Sequence, residues 1–147
     1  MTARRVRAFV VTLFAACLCA FGGTTTAFAQ DGGRTDWTVY STFIGAMGED
    51  IPLRIGRHDT PGRDGVGLLH IIDGHGELPD VYEIEALLAH SDRVCQFYAA
   101  DEKWRCSQMV GDRALFVVFT ERVDDASGDG RPVGIITAYY SPRGCPC

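Results

Sequence analysis

The sequence predicts an α+β domain in which amino-terminal helical material packs on a four- to five-stranded antiparallel sheet. Three observations carry that expectation. One capped, amphipathic helix starts at Asp80, the hydrophobic period changes to two after it, and short polar joins separate the four apolar runs that follow.

Taken in order, residues 1–29 read as a secretory signal peptide. Arg4, Arg5 and Arg7 precede an apolar run from Ala8 to Phe21, and Ala27-Phe28-Ala29 offers a small-x-small cleavage site before Gln30. The run is short for a transmembrane helix, and no later segment can span a membrane, so the expected product is secreted and extracellular. Neither the Arg4-Arg5 pair nor the stretch before Cys17 makes a convincing twin-arginine or lipoprotein signal. The mature chain of 118 residues is one small domain. Residues 30–64 form a leader and first strand region, and residues 65–147 carry the remainder with a disulfide-tied tail. The leader takes three arginines with it, leaving 11 basic against 19 acidic residues, a formal charge of −8. Such a surface favours a soluble monomer and gives no broad attraction to nucleic acid. The cluster Arg54, Arg57, His58 and Arg63 reads as a solvated loop face.

WTVYSTFI (37–44) is aromatic and β-branched, as strands are, and IPLRI (51–55) is a second short strand that Pro52 assigns to an edge. HDTPGRDG is a turn. The glycines of GVGLLHIIDGHG (65–76) argue against a helix there. Asp80 is a good N-cap with Glu83 at the third helical position of a capping box. Val81, Ile84, Leu87 and Leu88 then make one apolar stripe that ends near His90 in the last turn. RVCQFYA, KWRCSQMV, ALFVVFTERV and VGIITAYY follow as strands joined by DE, GDR and DDASGDGRP, with ALFVVFT, apolar on both faces, in the centre.

Four cysteines remain after the leader, an even number that suits an oxidising compartment: Cys95, Cys106, Cys145 and Cys147. A Cys145–Cys147 bridge would close a very tight ring around Pro146. The strain argument therefore favours the two tail cysteines crossing to Cys95 and Cys106. A zinc site from these four lacks the usual knuckle spacing.

Several chemistries are excluded by their missing residues. No glycine loop ends in Lys-Ser, no serine sits in a GxSxG elbow, and DDASGDG lacks the glycine and terminal glutamate of a calcium loop. His70 and His75, with Asp73 between them, supply too few converging ligands for a closed metal site. Imidazole can exchange a proton near neutrality, and arginine can hold a phosphate. Thr137 and Tyr139, two apart, share one face of a strand.

GLLHIIDGHG, a helix, GDRALFVVF, a loop and GIITAYY resemble the secreted and toxin-borne ribonucleases of the superfamily that groups barnase, EndoU, the colicin-type tRNases and RelE, the BECR fold. The resemblance covers residues 65–140. It implies His70 and His75 as acid and base in either order, Arg113 as the basic group at the head of the central strand, and Thr137 and Tyr139 as the hydroxyl pair. It also implies an endoribonuclease without metal or cofactor. The ribose 2′-hydroxyl would attack the adjacent phosphorus to leave a 2′,3′-cyclic phosphate, with RNA, tRNA included, as substrate and a cognate inhibitor protein as partner. The chain departs from the pattern at Tyr140, where relatives often have proline, and in its acidity. The alternative is a secreted, catalytically inactive module of the same fold that binds a protein partner. A disulfide-stapled structural or inhibitor module is a third reading.

Overall fold

The computed structural model describes residues 35–90 and 94–142. The proposed leader, Cys145 and Cys147 lie outside them. Among the described residues the chain is α+β, with two helices and two antiparallel sheets. A 3-10 turn (Thr35–Trp37) leads into β1 (Val39–Ile44), which pairs with β2 (Asp50–Arg54) as a separate two-stranded sheet. Helices α1 (Gly67–His75) and α2 (Val81–Ala89) follow. Then come β3 (Val94–Tyr98), β4 (Lys103–Val110), β5 (Arg113–Val123) and β6 (Pro132–Pro142), a meander in sequential order. The helices thus sit in mid-chain, after β1 and β2, and the expected single sheet is split in two.

Helix α2 forms where its pattern requires. The Asp80 carboxylate accepts from the Tyr82 N–H at 2.8 Å, and Ile84, Leu87 and Leu88 are buried. One detail of the expected capping box differs. The Glu83 carboxylate instead accepts a short hydrogen bond from the Tyr140 hydroxyl, which ties the helix to β6. The helix also stops a residue early, at Ala89, and His90 is already extended.

Helix α1 overturns the expectation that its glycines forbid helix. The glycines serve its ends and its contacts. Gly67 lies against the Arg54 carbonyl, where a Cβ would come within 2.6 Å. Gly74 is exposed and costs about 1 kcal/mol relative to alanine. Gly76, at φ +79°, ends the helix by donating to the Ile72 carbonyl at 2.8 Å. Ile71, fully buried, anchors the helix in the core.

In the four-stranded sheet, Leu115, Val117, Phe119, Cys106 and Ala138 point to the buried side and join Ile84, Leu87, Leu88 and Ile71. The opposite side carries Arg105, Phe116, Val118, Thr137 and Tyr139, all only half-buried. One covered and one open face is the usual economy of an antiparallel sheet. β5 is interior, as expected, but only one of its faces is core. At β6 the small sheet crosses closely: Gly134 adopts φ +81°, and a Cβ there would meet the Pro52 carbonyl oxygen at 1.9 Å.

Arg54 does not belong to a solvated face. It is 1% exposed, and its guanidinium donates to both Asp129 oxygens (2.9 and 3.1 Å) and to the Trp37 (2.6 Å) and Pro132 (2.9 Å) carbonyls. A buried arginine is tolerated because nearly all its protons are used.

The disulfide also differs from expectation, since Cys95 is bonded to Cys106. The two face each other directly across β3 and β4, where antiparallel register already holds the side chains together. The strain argument considered the tail alone and could not see this register.

Candidate active site

The predicted histidines project from α1, which lies along the free edge of β6. His75 is in the last turn, and its Nε2 sits 3.1 Å from the Thr137 Oγ1. Its ring stacks on Tyr139, with centroids 4.5 Å apart. His70, more than a turn earlier, presents its ring edge-on to His75 at 6.5 Å between centroids. The two rings, Thr137, Tyr139 and Tyr140 line an open cleft of about 560 Å³. Four of the five residues singled out in the sequence, His70, His75, Thr137 and Tyr139, therefore meet at one place.

His70 is oriented by a residue the sequence did not single out. Its Nδ1 lies 2.9 Å from the Asp59 Oδ2, and the other Asp59 oxygen accepts from the Gly65 N–H at 2.6 Å. That backbone bond, and next the contact with His70, hold the Asp59 carboxyl below the ordinary carboxylate range. An anionic carboxylate against Nδ1 fixes the ring's orientation and directs Nε2 away from it. Gly65 is glycine for lack of room, because a Cβ would come within 2.8 Å of the Arg57 carbonyl oxygen and equally close to the His70 Nδ1.

His75 lies below the ordinary imidazole value, first because the packing over its ring disfavours charge, then because His70 faces it. It is thus neutral over more of the pH range than a free histidine. His58 is bonded to Asp73 on the outer side of α1, and His90 lies past the end of α2.

Arg113 is placed apart from this group. It pairs with Pro142 in the register, on the face of Leu115 and Tyr140, while Thr137 and Tyr139 look out from the other side. Its guanidinium lies 3.9 Å over the Tyr140 ring and 3.4 Å from Glu77, so it touches the cleft only through Tyr140. The cation on the open face is Arg105, which donates to the Tyr139 hydroxyl at 3.2 Å and covers Phe116 at 4.7 Å. Phe116 in turn stacks on Tyr139 at 5.3 Å. Arg105, Phe116, Tyr139 and His75 form one continuous stack across three strands to α1. Arg105 was not singled out in the sequence: alternation along KWRCSQMV could put it on one face, but only the register shows which residues share that face.

Among the described residues, no three histidine, cysteine or acidic side chains converge as a metal site. None of their helices is long and apolar enough to cross a membrane. No protein-family model, curated protein or solved structure matches the chain.

Proposed function

We propose that the mature domain is a secreted endoribonuclease that cleaves RNA by 2′-hydroxyl transesterification. The observation that supports this reading best is the pair of imidazoles set edge-on at 6.5 Å over a floor of two hydroxyls. Cleavage of this kind needs two proton handlers on opposite sides of one phosphorus and donors for its oxygens.

His75, kept neutral, takes the proton from the ribose 2′-hydroxyl. The 2′ oxygen bonds to phosphorus, the bond to the 5′ oxygen breaks, and His70 gives that oxygen its proton. The products are a 2′,3′-cyclic phosphate and a free 5′-hydroxyl. Asp59 holds His70 in position, and Thr137 does the same for His75. Because Arg105 donates to the Tyr139 oxygen, the Tyr139 proton is left to bond a phosphoryl oxygen as charge develops there. Arg105 takes the supporting part that the resemblance assigns to Arg113.

The test is cleavage by purified, disulfide-bonded protein at low salt in excess EDTA, on a panel that includes tRNA. Cyclic phosphate termini and intact DNA are expected, since DNA has no 2′-hydroxyl. Loss of activity in EDTA would move the histidines to a metal role. Inactivity on the whole panel would favour the protein-binding module, which the charge of −8 suits better than a nuclease gripping RNA by its backbone.

A further inference from the structure

Among the described residues no strand pairs with the outer edge of β3, at the opposite margin of the sheet from β6. Gln96, Phe97 and Tyr98 are exposed there, Phe97 at 47%. The Cα atoms of Cys95 and Cys106 are 4.1 Å apart, the spacing of an antiparallel pair that exchanges no backbone hydrogen bonds. The N–H and C=O of Cys95 and, two residues on, of Phe97 therefore point away from β4 to the open edge. Edge strands are commonly guarded by a charge, a proline or a bulge. β3 has none of these: Val-Cys-Gln-Phe-Tyr is uncharged, and its register with β4 is unbroken. By contrast, β1 has an irregular register between Val39 and Ser41, and α1 lies along β6.

The side chains beside this edge define the segment that fits it. Phe97, Trp104 and Phe119 stand in a row across three strands, with the Phe97 and Trp104 ring centroids 4.9 Å apart. A cavity of about 220 Å³ lies beside them, lined by Phe97, Trp104, Glu102, Glu121 and Arg122. It is smaller than the roughly 300–1,000 Å³ of drug-sized sites and suits a single side chain. Neither carboxylate has a hydrogen bond or ion pair among the described residues. Two carboxylates against one guanidinium leave one negative charge, and aromatic rings attract cations. A lysine or arginine meets both conditions, since its apolar stem can cover Phe97 while its head stays charged. We propose that the open edge of β3 docks an extended segment of a partner protein. The segment adds a strand to the sheet and sends a lysine or arginine over Phe97 toward Glu102 and Glu121. A second copy is the poorer occupant, because β3 has no basic residue to offer and two domains of charge −8 repel. The site does not depend on the chemistry proposed for His70 and His75.

The experiment is an NMR titration of the mature, disulfide-bonded protein with the end-blocked peptide Thr-Val-Lys-Val-Thr. Saturable shifts of the Cys95 and Phe97 amide signals are expected. A peptide with glutamate in place of the lysine should bind roughly tenfold more weakly or worse. A peptide N-methylated at its three central residues, which cannot pair as a strand, should not bind. Glu102→Gln combined with Glu121→Gln should bring the lysine and glutamate peptides close to level. Shifts confined to other residues, equal binding of the glutamate or the N-methylated peptide, or no binding of the lysine peptide would each overturn the proposal. So would a lysine preference that survives the double substitution. Self-association of the free protein through β3 would give the edge to a second copy and overturn it as well. Should the double variant fail to fold, the three peptides on the wild type decide the matter alone.

Discussion

His75 and Thr137 meet across the free edge of the sheet, ring nitrogen to hydroxyl at 3.1 Å, although 62 residues separate them in the chain. This contact sets the proposed base, carried by a helix, against a hydroxyl carried by a strand.

The pH profile should show it. A base must be unprotonated, so kcat/KM should rise with pH through an acidic limb lying below the ordinary imidazole value of 6.5. His75→Ala should abolish that limb and lower the rate roughly 100-fold or more, as should His70→Ala for the opposite limb. An unchanged acidic limb in His75→Ala would reverse the assignment of base and acid.

Arg105 and Arg113 make a paired comparison. Arg105→Gln frees the Tyr139 hydroxyl from its donor and should lower kcat on the order of 10- to 100-fold, with a smaller change in KM. Arg113→Gln should change kcat only a few-fold. The reverse ranking would return the phosphate-holding role to Arg113.

Acid should loosen the fold through Asp129. The hydrogen bond from Arg54 depresses its pKa from an ordinary value of 3.8. Its contribution to stability is complete above that value and is lost as pH falls below it. Urea unfolding, followed from neutrality down through pH 3.8, should show this loss in the wild type and less of it in Asp129→Asn. Arg54→Met should cost about 3 kcal/mol, the low end for a broken buried pair, because Asp129 keeps some access to water.

Peptide mapping of the unreduced protein should recover Cys95 joined to Cys106. Replacing both by serine removes a loop closed over 11 residues and should cost about 3 kcal/mol or less. Recovery of either residue linked to the tail would contradict the register of β3 and β4.

What the sequence revealed and what it hid divide along physical lines. Helix α2 and the four strands of the meander were legible because their apolar residues repeat at the period of the element that buries them. Helix α1 was not, since its glycines read as breakers until the Arg54 carbonyl and the αL turn at Gly76 give them a purpose. His70, His75, Thr137 and Tyr139 line one cleft, whereas Arg113 lies on the other face of the sheet. Parity along one strand is readable, but pairing between strands is a property of the folded chain. For the same reason Asp59, in a turn, and Arg105, two strands from β6, gave no sign of their contacts with His70 and Tyr139.

The placement of the disulfide bears on timing. The bridge joins the outermost pair of strands, while the proposed catalytic edge is β6, at the opposite margin of the sheet. β4 pairs with β5 on the side away from β3, and Cys95 lies outside that pairing. None of the contacts that hold His70 and His75 runs through the bridge, so a reduced chain that folds is expected to have its histidines in place. On the proposed function, oxidation of these cysteines is then not expected to act as a safety catch. If the domain cuts RNA, the cell that makes it needs protection from the moment the chain folds, by rapid removal or by an inhibitor that covers the edge of β6.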